Sequence, residues 1–324
     1  MNIEIKKELT QAQRLYKSKK YEEALEIFDK HYKMHPEEMK YSDKNNYAWS
    51  IYYIHVQHFK DENELIENVE KITEIVIQND LNKNPICIYT VAIYKLLNYF
   101  RHNKNFYSMI PWLEKLDPSL LDIKKPRSHI KVKKNRRETY YDWASKAYLE
   151  CGEYEKCIEI SLEALNVLNT FNYDGDIWHY YRIAKSLKYL NKCDEALVYF
   201  KKVIEVNTSW YIYREIVETY YLQKNFLDAM KYACPAVLSK EPAEVKASIY
   251  YLLYKVFKSF NPAMALKHAE LYYVLKTEQN HSIPSEIESL ISNPQELNKS
   301  DLLFEIKNLW IKYKKSKQVS DDKF

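Results

Sequence analysis

Two histidine pairs are the first candidates for chemistry. His31 and His35 stand four residues apart, and His55 and His58 three apart. Either spacing puts both rings on one face of a helix, where they can share a metal ion. Neither pair sits in H-E-x-x-H and no third ligand follows at a matching spacing, so both read as polar helix-surface or capping residues and no metal is assigned. The five cysteines, Cys87, Cys151, Cys157, Cys193 and Cys234, contain no C-x-x-C pair. An odd set of this kind fits reduced, buried thiols in a cytoplasmic protein. Loops that cradle phosphate, and the strained turn of a G-x-S-x-G nucleophile, need clustered glycine. Here Gly152 and Gly175 are the only two glycines. No catalytic residue and no cofactor is assigned, and the chain is expected not to be an enzyme.

Charge supplies a different candidate. The chain is nearly balanced at +4, yet KKPRSHIKVKKNRR, Lys124 to Arg137, holds eight basic residues and no acid. Lys124, Lys125, Arg127, Lys131, Lys133, Lys134, Arg136 and Arg137 form a candidate anion-binding loop for nucleic acid or an acidic partner. Two other uses stay open: a solvated loop that aids solubility, and a clamp on the chain's own acids. A connection of this length between helices is usually functional or disordered.

The elements that carry these residues follow from composition and period. Apolar residues make up 46% and charged residues 29%, which places the chain among globular proteins. Turn-rich β folds use glycine, and long helices are weakened by it, so two glycines in 324 residues predict an all-α protein. The opening MNIEIKKELTQAQRLYKSKK has no continuous apolar core, and the run IYYLLY at 249–254 is too short to span a bilayer. No membrane contact is expected.

One pattern recurs. YEEALEIFDKHYKMHP from Tyr21 sets an aromatic, two acids, Ala24, then Phe28 and Pro36. The same order returns around Cys157, Ala196, Ala229 and, more loosely, Ala265. This resembles the tetratricopeptide repeat, with its period of about 34 residues. The resemblance implies a right-handed solenoid of helical hairpins, about six or seven pairs, closed by a terminal capping helix. Gly152 and Asn191 suit the left-handed residue of the turn inside a hairpin. The expected organisation is helical pairs over 1–118, the basic insert over 119–137, a regular array over 138–278, a capping segment over 279–316 and a frayed tail over 317–324. Ser300 reads as the cap of the last helix, and Leu302, Ile306 and Trp310 lie on its apolar stripe.

The resemblance also implies where a partner sits. The first helix of each hairpin lines the concave face, and the matching positions here are Lys146, Trp178, Tyr181, Lys185, Lys188, Tyr211, Arg214, Tyr221, Tyr250, Tyr254 and Phe257, with Asp142 and Glu218 as the acids. Tyrosine offers large contact area at low rotamer cost, and Lys and Arg pair with carboxylate or phosphate. The Lys and Asn clamp that some members use on a C-terminal carboxylate lacks its Asn here. The expected function is a cytoplasmic scaffold for a protein or peptide partner. The alternative is a nucleic-acid-associated accessory component of a prokaryotic defence system, working through the basic loop.

Overall fold

The computed structural model describes residues 3–84, 86–122, 135–172 and 174–321, the side chains of 317–321 excepted. No strand occurs among them. The chain divides into two compact units, Met1–Tyr173 and Asp174–Phe324.

The first unit holds four hairpins. They are α1 (Ile3–Lys17) with α2 (Tyr21–Met34), α3 (Tyr41–Ile51) with α4 (Glu62–Ile75), α5 (Ile88–His102) with α6 (Phe106–Glu114), and α7 (Arg136–Glu150) with α8 (Tyr154–Val167). Each helix packs on the next, and α1 on α3 and α3 on α5 also touch, as stacked hairpins require. A π-helical turn, Tyr52–Val56, extends α3. The second unit holds three more hairpins: α9 (Gly175–Tyr189) with α10 (Cys193–Ile204), α11 (Trp210–Leu222) with α12 (Phe226–Leu238), and α13 (Ala247–Phe257) with α14 (Pro262–Glu278). A short helix, α15 (Ser285–Glu288), and a long one, α16 (Lys299–Asp321), follow.

The turn inside a hairpin is the same device five times. Lys19, Lys104, Gly152, Asn191 and Lys224 all have positive φ, between 56° and 80°. The residue after each donates its amide to the carbonyl five residues back, as from Lys20 to Leu15 (3.0 Å), Glu153 to Tyr148 (2.9 Å) and Asn225 to Tyr220 (2.9 Å). These bonds satisfy carbonyls that the helix end would otherwise leave open. The expected left-handed residues Gly152 and Asn191 are both there. The three lysines are the unexpected ones, because lysine has no preference for that conformation.

Small residues set how closely the two helices of a pair approach. Ala24, Cys157, Ala196 and Ala229 are each wholly buried, and so are the larger Phe28 and Phe200 one helical turn later in their own helices. At the end of the chain Leu302, Ile306 and Trp310 bury the stripe of α16 against α12 and α14. Asn298, not Ser300, caps this helix: its Oδ1 accepts from the amides of Ser300 (2.8 Å) and Asp301 (3.2 Å). Asparagine two residues earlier competes for the same free amides and wins. No helix among the described residues is long and apolar enough to cross a membrane.

Candidate partner-binding site

In the second unit α9 and α11 bring charged and aromatic side chains together. The Lys188 ammonium lies 2.5 Å from one Glu215 carboxylate oxygen and 2.7 Å from Glu218. Arg214 stands 3.3 Å from Glu215 and 3.6 Å from Glu218, and Lys185 4.0 Å from Glu215. Three cations therefore surround two carboxylates. Burial would lower the Lys188 pKa, but the two carboxylates outweigh it and raise it. Burial likewise works to raise Glu218, and Lys188 overrides it, so the carboxyl is held below its usual range. Both shifts favour the charged forms of Lys188 and Glu218.

Aromatic rings frame the cations. Trp178 meets Tyr181 edge to face at 5.8 Å, and Tyr181 meets Tyr211 in the same way at 6.4 Å. The Lys185 ammonium sits 5.7 Å from the Tyr181 ring centre and 5.8 Å from that of Tyr189. Such contacts hold a cation in place while leaving its N–H groups open to an acceptor. Lys185 and Arg214 keep 21% and 27% of their side chains exposed, against 3% for Lys188. Arg214 Nε is itself buried and has no acceptor among the described residues.

Six of the expected lining residues thus share one neighbourhood, but in unequal roles. Lys188 is not a contact residue; it is buried, and its charge is consumed by Glu215 and Glu218. Tyr250, Tyr254 and Phe257 are buried too. In α13, ASIYYLLYKVF, only Ser248, Tyr251 and Lys255 are partly exposed, so Tyr250, Tyr254 and Phe257 fall on its packed faces. Phe257 lies against His268 and Trp310 instead of facing solvent. Tyr221 belongs to a separate cleft with Leu222, Lys224, Phe226 and Lys255. In the first unit Lys146 stands exposed on α7, its ammonium 5.3 Å from the Phe106 ring centre.

The residue that sequence reasoning missed is Glu215. Its signal was present: with Ile212, Ile216 and Thr219 it completes the buried stripe of α11, where an acid demands a buried partner.

The hairpins are tetratricopeptide-like. The repeated buried small residue and the repeated left-handed turn decide this. No family model matches the chain, and no curated protein matches it. Among solved structures, similar chains include a tetratricopeptide repeat protein from Parabacteroides merdae (13% identity over 88% of this chain and 96% of that one, TM-score 0.41). BtubC from P. vanneervenii is similar at 15% identity over 73% of this chain and 94% of that one, with TM-score 0.47. Human IFIT1, in a dimer with PPP-AAAA, is similar at 15% identity over 90% and 68%, with TM-score 0.42.

In this tetratricopeptide-like frame the other sequence candidates take structural places. Lys124, Lys125, Arg127, Lys131, Lys133 and Lys134 lie outside the described residues. Arg136 and Arg137 are not loop residues but the first turn of α7. Arg136 reaches Asp122 at 3.4 Å, and Arg137 donates to the carbonyls of Ser119 and Leu121. Those two charges serve the chain's own backbone and acids. His31 is buried and bonded to Glu8 at 2.7 Å, whereas His35 is only half-buried. No group of three or more His, Cys, Asp or Glu side chains able to hold a metal occurs among the described residues. Cys157 fills its packing position with no exposed surface. Burial pushes the thiols of Cys151, Cys193 and Cys234 up, away from reactive thiolate.

Proposed function

We propose that the chain is a non-catalytic scaffold that binds a protein or peptide partner, and that Lys185 and Arg214 take an acidic group of that partner. The observation that carries this reading is the charge imbalance on α9 and α11. Lys188 is fully engaged, so the surplus positive charge falls on Lys185 and Arg214, the two cations that reach solvent. A carboxylate arriving there completes their hydrogen bonds, and charge-assisted bonds of this kind are the stronger sort. Trp178, Tyr181 and Tyr211 supply flat apolar area beside it at small entropic cost.

Fluorescence anisotropy with acidic peptides, free-acid and amidated at the C-terminus, tests the reading. Lys185→Ala/Arg214→Ala is expected to weaken binding about tenfold or more, with the wild-type affinity falling as salt rises. Equal affinity in the double variant sinks the proposal.

A further inference from the structure

The junction between the α11/α12 and α13/α14 turns differs from the other hairpin junction of the second unit. In the second helix of five hairpins, the second helical residue stands two before the buried small residue. That position holds Glu22 in α2, Glu155 in α8 and Asp194 in α10, but Leu227 in α12 and Ala263 in α14. Acids there complement the helix N-terminus and neighbouring cations. Between the α9/α10 and α11/α12 turns, Gln223 donates to Asp194 at 2.8 Å and ties the two turns together. The register equivalents at the next junction are Ser259 and Leu227, which cannot form that bridge. The junction stays open as a cleft of about 570 Å³.

The cleft is cationic and apolar at once. Lys224, Lys255 and Lys258 line it, and no carboxylate does. Lys258 approaches Glu286 at 3.7 Å on a largely exposed surface. Lys224 and Lys255 have no carboxylate partner among the described residues; Lys255 rests 4.2 Å from the Tyr251 ring centre. Leu222, in the lining, is 50% exposed, and Leu227, which follows the lining residue Phe226 on α12, is 75% exposed. The Phe226 ring is already stacked on Phe260 at 5.5 Å.

We propose that this cleft is a second docking site, separate from the α9/α11 cluster, for an acidic protein segment that carries an apolar anchor side chain. Its carboxylates replace the acids missing from this junction, and its anchor covers the exposed leucines. A nucleic-acid strand fits less well: it stacks its bases on open ring faces, and Phe226 and Phe260 each give one face to the other.

The test pans a random dodecapeptide phage library on the full chain, with counter-selection on Lys224→Glu/Lys255→Glu. Selected peptides are then measured by anisotropy as fluorescein-labelled synthetics. Enriched sequences are expected to combine acids with Leu or Phe. Affinity is expected to fall about tenfold or more in Lys224→Glu/Lys255→Glu and in Leu227→Asp, and to hold in Lys185→Ala/Arg214→Ala. Leu227→Asp tests the site without threatening the fold, because the position is exposed and an acid occupies it in three other hairpins. The absence of any enriched peptide, enrichment without acids, or unchanged affinity in either cleft variant overturns the proposal. So does binding lost only in Lys185→Ala/Arg214→Ala, which assigns the peptide to the α9/α11 cluster. Oligothymidylate that displaces the peptide and depends on the same lysines overturns it in favour of nucleic acid.

Discussion

Each unit buries a carboxylate, and the two are held by opposite means. Glu138 of the first unit is 1% exposed and is bound only by neutral donors: the amide and the side-chain nitrogen of Asn172, at 2.7 and 2.5 Å. No cation pairs with it among the described residues. Glu215 of the second unit is held by Lys188, with Arg214 and Lys185 behind. The first arrangement is local and saturated, and it pins the segment after α8 onto the start of α7. The second gathers more charge than it cancels and leaves part of it facing solvent. A buried acid therefore closes a local lock where its partners are neutral, and gathers surplus charge towards the surface where its partners are cations.

Breaking the charged centre is expected to have the largest effect. Lys188→Met removes the nearest cation from Glu215, and an uncompensated buried charge costs about 3–5 kcal/mol. Denaturant unfolding followed by tryptophan fluorescence measures this. A change below about 1 kcal/mol would show that Arg214 and Lys185 hold Glu215 unaided.

A second effect of roughly 3 kcal/mol is expected from pH, again in the second unit. His268 is wholly buried; its Nε2 accepts from the Trp310 indole at 3.1 Å and its Nδ1–H donates to the Met264 carbonyl at 2.7 Å. Burial lowers its pKa from 6.5 to about 4. The unfolded chain takes up the proton first, so this contribution is complete above about pH 6.5 and is lost as pH falls towards about 4. His268→Gln is expected to flatten the stability profile across that window. An unchanged slope in the variant would remove His268 as its source.

The neutral centre of the first unit is expected to give less. Glu138→Ala leaves the Asn172 donors buried without an acceptor, a loss of about 2 kcal/mol in the same unfolding experiment. A loss as large as that of Lys188→Met would erase the distinction between the two centres.

Much of this architecture was legible in the residues, and the failures have physical causes. Ala196 and Ala229 marked the close approach of paired helices because only a small side chain fits there, and Gly152 marked its turn because glycine alone enters the left-handed region freely. The π-helical turn at Tyr52–Val56 was illegible, since it depends on how α3 meets its neighbours and not on local preference. Of the candidate site, the clustering of Lys185 and Arg214 followed from their positions in the repeat. Lys188, Tyr250 and Tyr254 were misread because a position predicts which way a side chain leaves its helix, not what covers it. For Lys188 the cover was Glu215 and Glu218, one of them an acid set in an apolar stripe.

The smallest effect tests what the two units have in common. Lys19 and Lys104 in the first and Lys224 in the second hold positive φ at equivalent turns. A lysine there bears a clash between Cβ and the following carbonyl that glycine escapes, partly offset by the freedom glycine has in the unfolded chain. Lys104→Gly and Lys224→Gly are each expected to raise stability, by less than about 1 kcal/mol. The gain should be alike in both units, because the turn depends on six residues of backbone and not on the charged or neutral centre nearby. A gain at Lys104 with a loss at Lys224 would mean that the Lys224 side chain has a fixed role in its own unit, and the turn would no longer be common ground.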